Sequence, residues 1–91
     1  MVLPDFAGFE VFLRVKPVRA LVLLANGERE WYASGLAKEA DCTFPHIIKI
    51  LSLFEGAGLV SFRPDGRKKI ISLTPKGKKL ASHFISIAEL V

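Results

Sequence analysis

The sequence has 91 residues, of which 51% are hydrophobic and 24% are charged, and its formal net charge is +4. A chain of this length and composition forms one small domain, so an intrinsically disordered or low-complexity protein is excluded. The single cysteine, Cys42, excludes an internal disulfide framework and a zinc site built on several thiolates. No apolar run approaches the roughly 20 residues of a membrane span, so we expect a cytoplasmic protein.

The composition supports two further expectations. Such a high apolar content in so short a chain predicts additional burial against a second copy. Asn26 is the one asparagine and no glutamine occurs, and this depletion of thermolabile residues is typical of thermophilic proteins.

The first 16 residues are apolar and fit two patterns. Phe6, Phe9 and Leu13 recur at helical spacing, whereas Phe9, Val11, Leu13 and Val15 alternate as in a strand. We favour a short helix here.

The next segment predicts a helix and a short strand. Pro17 suits a first helical turn, where its missing N–H costs nothing, and apolar residues then recur at helical spacing as far as Ala25. Asn26-Gly27 is expected to end this helix. The polar-to-aromatic stretch that follows leaves room for one short strand around Trp31.

Two more helices follow, joined by a tight turn. Residues 34–40 predict a second helix with Ser34 as its cap, and Asp41-Cys42 forms the turn. Thr43 caps a third helix, and Pro45 lies in its first turn. Glycines at 56 and 58 end the third helix, whose inward residues are Ile47, Ile50, Leu51 and Phe54.

A hairpin and a last helix complete the chain. Residues 59–63 and 69–73 are short β-rich runs, and Pro64-Asp65-Gly66 is expected to form the turn between them. Thr74-Pro75 opens the last helix. Its apolar stripe contains Leu80, Phe84, Ile87 and Val91.

The basic residues are concentrated around this hairpin. Residues 63–79 contain seven basic residues and one acidic residue, which indicates either an edge that faces a polyanion or a solvated lysine-rich face. Lysines at the start of the last helix oppose the helix dipole and would be explained by nearby phosphates. Four basic residues bracket the hairpin turn: Arg63, Arg67, Lys68 and Lys69.

The order of elements predicts an α+β fold, mainly α, with a small antiparallel sheet. Two helices joined by a tight turn and followed by a basic hairpin form a winged helix-turn-helix. Such an arrangement offers one helix to the major groove of DNA and a cationic loop to phosphates or the minor groove. By periodicity the groove-facing positions of the third helix are His46, Lys49, Leu53 and, obliquely, Ile48 and Ser52.

Four segments in order carry a family resemblance: Leu36-Ala37, Phe54–Val60, Arg63–Lys69 and Leu73–Gly77. With these segments, the stretch from residue 17 to about residue 80 resembles winged-helix transcription regulators of the MarR type and their small archaeal and bacterial relatives. The resemblance implies a DNA-binding dimer whose terminal helices form the dimer interface.

The resemblance also implies roles for individual residues. Arg67 is expected to enter the minor groove, while Asp65 orients it or braces the turn at Gly66. Residues at helix starts, here Ser34 and Thr43, tend to donate to phosphates. The predicted DNA-binding residues are Ser34, Thr43, Pro45, His46, Lys49, Arg63, Arg67, Lys68 and Lys69.

Three alternatives remain at the level of sequence. Ile48 and Leu53 could contact thymine methyl groups or pack on a protein partner, which would make the domain an interaction module. Cys42, His46 and His83 fall short of a metal site, although Cys42 beside a helix start could sense oxidants. We find no nucleophile–base pair and no phosphate-binding glycine loop, so we expect no enzyme, no metal and no cofactor.

We therefore predict a single winged-helix domain over residues 1–91 that acts as a DNA-binding homodimer. Residues 1–16 form an N-terminal dimerisation segment, residues 17–73 the winged-helix core and residues 74–91 a C-terminal helix that also dimerises. A small hydrophobic effector between the terminal segments is a further alternative. The predicted dimer residues are Phe6, Phe9, Leu13, Leu80, Phe84, Ile87 and Val91.

Overall fold

The structure, a computed structural model, describes residues 9–91, so the predicted dimer residue Phe6 lies outside the described part. Its elements have the predicted winged helix-turn-helix order and confirm the α+β fold class. The elements are a 3-10 turn (Glu10–Leu13), α1 (Val15–Leu24), α2 (Ala33–Glu39), α3 (Phe44–Gly56), β1 (Val60–Asp65), β2 (Lys68–Leu73) and α4 (Pro75–Glu89).

The turn between α2 and α3 is held by backbone and side-chain hydrogen bonds. Asp41 adopts a left-handed conformation with φ +54°, and the Cys42 amide donates to the Ala37 carbonyl at 2.9 Å. This is the Schellman arrangement that ends many helices, and it confirms the predicted turn. From α1, Arg19 donates to the Ala40 carbonyl at 3.2 Å, and Lys16 donates to the Asp41 carbonyl.

The helix starts agree only in part with the predicted caps. The Thr43 hydroxyl accepts from the His46 amide at 3.3 Å and confirms the cap of α3. The prediction for Ser34 was wrong: α2 begins at Ala33 after Tyr32, so Ser34 lies inside the first turn, and the side chain of the N-cap residue Tyr32 does not cap the helix.

The end of α1 lies directly before Asn26-Gly27, as predicted, but a glycine cap does not form it. The helix ends at Leu24, before Asn26-Gly27, and Gly27 does not adopt a positive φ. The segment instead forms a side-chain turn in which Asn26 Oδ1 accepts from the Glu28 amide at 3.0 Å. The Asn26 carbonyl also accepts from the Trp31 indole at 3.2 Å, which ties this loop to the core.

The hairpin has its turn one step later than expected. Asp65 pairs with Lys68, so Gly66 and Arg67 form the turn, while Pro64 and Asp65 belong to β1. Gly66 has φ +62° and Arg67 does not have a positive φ, the combination found in type II′ turns. The strand expected around Trp31 is reduced to one bridge, in which the Ile71 amide donates to the Trp31 carbonyl at 2.8 Å.

One hydrophobic core joins the helices to the hairpin, with α2 packed on α3 and α4 packed on α1 and β2. Phe12 of the 3-10 turn stacks on Phe54 at 5.7 Å between ring centroids and contacts Phe84 at 5.6 Å. Leu80 and Phe84 are half-buried against this core. Only part of each of these two side chains is therefore exposed and able to contact a second copy.

Candidate nucleic-acid interface

An open groove of about 570 Å³ lies between α3 and the hairpin. The groove brings the hairpin tip beside one exposed side of α3, which carries Ile48 and Ser52, the two positions that periodicity placed only obliquely. Three residues at the start of α2 also line this groove, namely Tyr32, Ala33 and Ser34. The residues of α3 that line the groove are Phe44, Ile48, Ser52 and Glu55. The residues of the hairpin tip that line it are Arg67, Lys68 and Lys69.

Helical periodicity explains which side of α3 faces this groove. The inward residues recur at i, i+3, i+4 and i+7, and all four are at most 3% exposed. Phe44, Ile48 and Ser52 lie four residues apart along the other side of the helix and are exposed. The side that contacts the core therefore determines which residues face outward.

The remaining predicted positions of α3 lie on a second hollow. His46, Lys49 and Leu53 line it together with Arg14 and Glu10 at the N-terminal turn. The structure therefore separates these residues from the groove at the hairpin, and the exposed Pro45 lies between the two sides. Sequence reasoning missed Arg14; its signal is a basic residue directly before a helix start.

Next to the hairpin turn, Asp65 accepts a hydrogen bond from a tyrosine. The Tyr32 hydroxyl donates to Asp65 Oδ2 at 2.6 Å and lies 3.4 Å from a Glu30 carboxylate oxygen. The hydrogen bond to Asp65, with the negative charges of both carboxylates, raises the pKa of Tyr32 to about 12. Lys68 lies over the same ring, with its Nζ 5.2 Å from the centroid. Asp65 thus braces the hairpin against the start of α2.

Arg63 does not join the other three basic residues of the hairpin. It lines a separate hollow with Lys78 and Ser82, and its guanidinium lies 3.7 Å from a Glu30 carboxylate oxygen. Glu30 partly neutralises Arg63 on that face. Of the four predicted cations, three therefore line the groove, and the fourth, Arg63, lies elsewhere beside Glu30.

One of the lysines at the start of α4 has a contact that the sequence did not reveal. Lys76 Nζ donates to the Ala57 carbonyl at 2.8 Å, at the C-terminal cap of α3. A cation is favourable at this negative end of a helix dipole. The position of Lys76 at the start of α4 is therefore explained by this contact and does not require a nearby phosphate.

The described residues also bear on the other classes of function. Within residues 9–91, no three histidine, cysteine or acidic residues are grouped to hold a metal ion. Over the same range, none of the helices has both the length and the apolar character needed to span a bilayer.

No protein-family model matches the sequence. A relative described as an uncharacterized protein of Archaeoglobus fulgidus is 32% identical over 65 residues, which cover 71% of this chain and 68% of the relative. A solved structure, AF1382 from the same thermophilic organism, has a TM-score of 0.81 and 27% identity, and the match covers 90% and 93% of the two chains.

Transcription regulators are also among the similar structures. MepR of Staphylococcus aureus, described as a transcription regulator of a multidrug efflux pump, has a TM-score of 0.72 and 30% identity, over 79% of this chain and 55% of MepR. A MepR variant bound to an oligodeoxyribonucleotide has a TM-score of 0.77, with 26% identity over 89% and 62% of the two chains. The MarR family regulator SPO1453 of Silicibacter pomeroyi shares the fold, with a TM-score of 0.75 and 24% identity over 93% and 65% of the chains.

This fold, with its hairpin beside α3, is the winged helix-turn-helix of the MarR type, as the sequence resemblance implied. Within that class, the chain belongs to the family of the Archaeoglobus fulgidus relative. The chain spans less than two thirds of MepR and of SPO1453, so it corresponds to one part of those longer regulators.

Proposed function

We propose that this protein binds double-stranded DNA as a homodimer and regulates transcription. The observation that carries the proposal is the groove in which α3 faces the hairpin cations Arg67, Lys68 and Lys69. Cations beside an exposed helix can neutralise phosphates while the helix lies in the major groove. The MepR variant bound to an oligodeoxyribonucleotide supports nucleic acid as the ligand of this fold.

Further cations extend the proposed contact beyond the groove. Arg14 and Lys49, with His46, line the hollow on the other side of α3. A duplex lying along α3 would pass both sides of the helix, so these residues are proposed phosphate contacts. Ser34 and Thr43 at the helix starts remain proposed phosphate donors.

The proposed dimer interface uses the terminal segments. Residues 17–73 would form the winged-helix core, while residues 1–16 and 74–91 would contact the second copy. Apolar side chains at both ends are exposed, including Leu13 at 65% and Ile87 at 58%. Covering such side chains is favourable, and a two-fold dimer would place two copies of α3 in successive major grooves, about 34 Å apart.

Salt dependence tests the proposal. We expect a gel retardation assay with mixed genomic fragments to show binding at low salt that weakens steeply as ionic strength rises. The Arg67→Ala variant should flatten the slope of log affinity against log salt by about one unit. Arg63→Ala is the matched control and should change the slope much less, because Glu30 already pairs with Arg63.

A second candidate function is favoured by the apolar character of α3. Phe44, Ile48 and Leu53 are large hydrophobic residues with about half of their surface exposed. A protein partner that packs on them would make this domain an interaction module in an assembly. Absence of salt-sensitive retardation of any duplex would contradict DNA binding and favour this function.

A further inference from the structure

Two apolar side chains lie on the N-terminal half of α3 at the groove. Phe44 is the first residue of α3 and Ile48 lies one turn later on the same side of the helix. About half of each side chain is exposed, at 53% for Phe44 and 44% for Ile48. Covering such a surface with another apolar group is favourable, because it removes apolar area from water.

The charges around this pair favour nucleic acid as the group that covers it. Arg67, Lys68 and Lys69 line the same groove and attract phosphates. Glu55 also lines the groove, but it lies eleven residues beyond Phe44, or about 16 Å along the helix axis. Because its carboxylate repels phosphates, a duplex is favoured at the end of α3 where Phe44 and Ile48 lie.

The same end of α3 has few groups for polar contact with bases. Pro45 has no side-chain donor or acceptor, and His46 lines the hollow on the other side of the helix. In the major groove, the apolar feature that distinguishes one base from the others is the C5-methyl group of thymine. N-terminal residues of a recognition helix are the ones that contact base edges.

We infer that Phe44 and Ile48 recognise thymine by its C5-methyl group. This inference rests on the proposed DNA binding and adds the chemical group that the protein recognises. Sites bound by this protein then carry thymine at the positions that face these two residues, and the hairpin cations supply affinity that does not depend on sequence.

Deoxyuridine tests this inference, because it differs from thymidine only in lacking the methyl group. A duplex selected by the protein from a random pool is resynthesised with each thymine replaced in turn by uracil. We expect affinity to fall by about three- to fivefold at one or two positions in each half-site, which is the loss expected for one buried methyl group. Replacements elsewhere in the duplex should leave affinity unchanged.

Variants of α3 assign the effect to residues. Ile48→Ala should bind the thymine and uracil duplexes equally at one sensitive position, and Phe44→Ala should do so at a neighbouring one. Leu53→Ala is the matched control, since Leu53 has similar exposure, 48%, but lines the hollow with His46 and Lys49. This control should retain the full preference for thymine.

The outcomes separate this inference from the proposed function. Equal affinity for all uracil duplexes, with salt-sensitive binding retained, would overturn thymine recognition and leave DNA binding in place. Unchanged thymine affinity in Ile48→Ala and Phe44→Ala would also overturn it, and would assign these residues to a protein partner. Failure to bind any duplex at low salt would overturn both proposals.

Discussion

Tyr32 is the single tyrosine of the chain, so its ionisation can be followed directly by ultraviolet absorbance. Its hydroxyl donates to Asp65, and this hydrogen bond is the largest cause that raises its pKa from 10.0 to about 12. The neutral hydroxyl is therefore favoured in the folded state. The resulting stabilisation is fully present below pH 10, the range of an unfolded tyrosine, and is lost as pH rises through about 12.

We predict that tyrosinate absorbance appears with a midpoint near pH 12 in the native protein. Asp65→Ala should move the midpoint towards 10, the ordinary value for tyrosine. Glu30→Gln is the control and should cause a smaller change, because Glu30 is a weaker partner of the hydroxyl. An unchanged midpoint in Asp65→Ala would mean that Tyr32 does not brace the hairpin.

Gly77 is a second residue with a specific tertiary contact, and the space around it admits no side chain. It is buried in the first turn of α4, and a Cβ added there would overlap the carbonyl oxygen of Leu59. The same carbonyl accepts from the Thr74 amide at 2.9 Å, so it cannot move aside without losing that bond.

We predict that Gly77→Ala lowers the free energy of unfolding by about 3 kcal/mol, the upper part of the usual range for overpacking. Gly56→Ala is the control because an added Cβ there meets open space. Its effect should be small or stabilising. Denaturant unfolding of both variants measures the difference, and equal stability would disprove the steric argument.

At the scale of elements, the two helices of the helix-turn-helix begin differently. Thr43 bonds the His46 amide at the start of α3, whereas α2 starts without a side-chain cap. We predict that Thr43→Ala destabilises the fold by about 1 kcal/mol. Ser34→Ala should change stability by less than about 0.5 kcal/mol, because Ser34 is an exposed residue inside the first turn of α2. Thermal and chemical unfolding provide the comparison, and equal losses would contradict the assigned caps.

The elements that local patterns predict best are those whose ends are made by their own residues. Thr43 and Thr74 cap α3 and α4, and Gly58 ends α3 with φ +74°. The hairpin turn was misplaced because Pro64-Asp65-Gly66 is itself a common turn sequence. Pairing of Pro64 with Lys69 instead shifts the turn to Gly66-Arg67.

At the scale of the whole molecule, the proposed homodimer leads to a prediction about mass in solution. Ile87 and Leu13 are exposed at the two ends of the chain that the proposal assigns to the interface. We expect the protein to sediment as a dimer at micromolar concentration and Ile87→Glu to shift it towards monomer.

Ser82→Glu provides the control for that experiment. Ser82 is on the same helix but lines the hollow that contains Arg63 and Lys78. This variant should remain dimeric. A wild-type protein that sediments as a monomer at these concentrations would contradict the proposed interface.

The sequence alone determined the winged helix-turn-helix, because helical periodicity, capping residues and the basic hairpin are local patterns. They can be recognised without knowing how the elements pack. The sequence also indicated the inward and exposed sides of α3 and the concentration of basic residues at the hairpin. Only the tertiary structure separated these residues into distinct sites. Glu30 pairs with Arg63, Tyr32 with Asp65 and Lys76 with the Ala57 carbonyl, and each contact joins residues at least 19 positions apart. Such contacts depend on how the elements pack, and no local pattern encodes them.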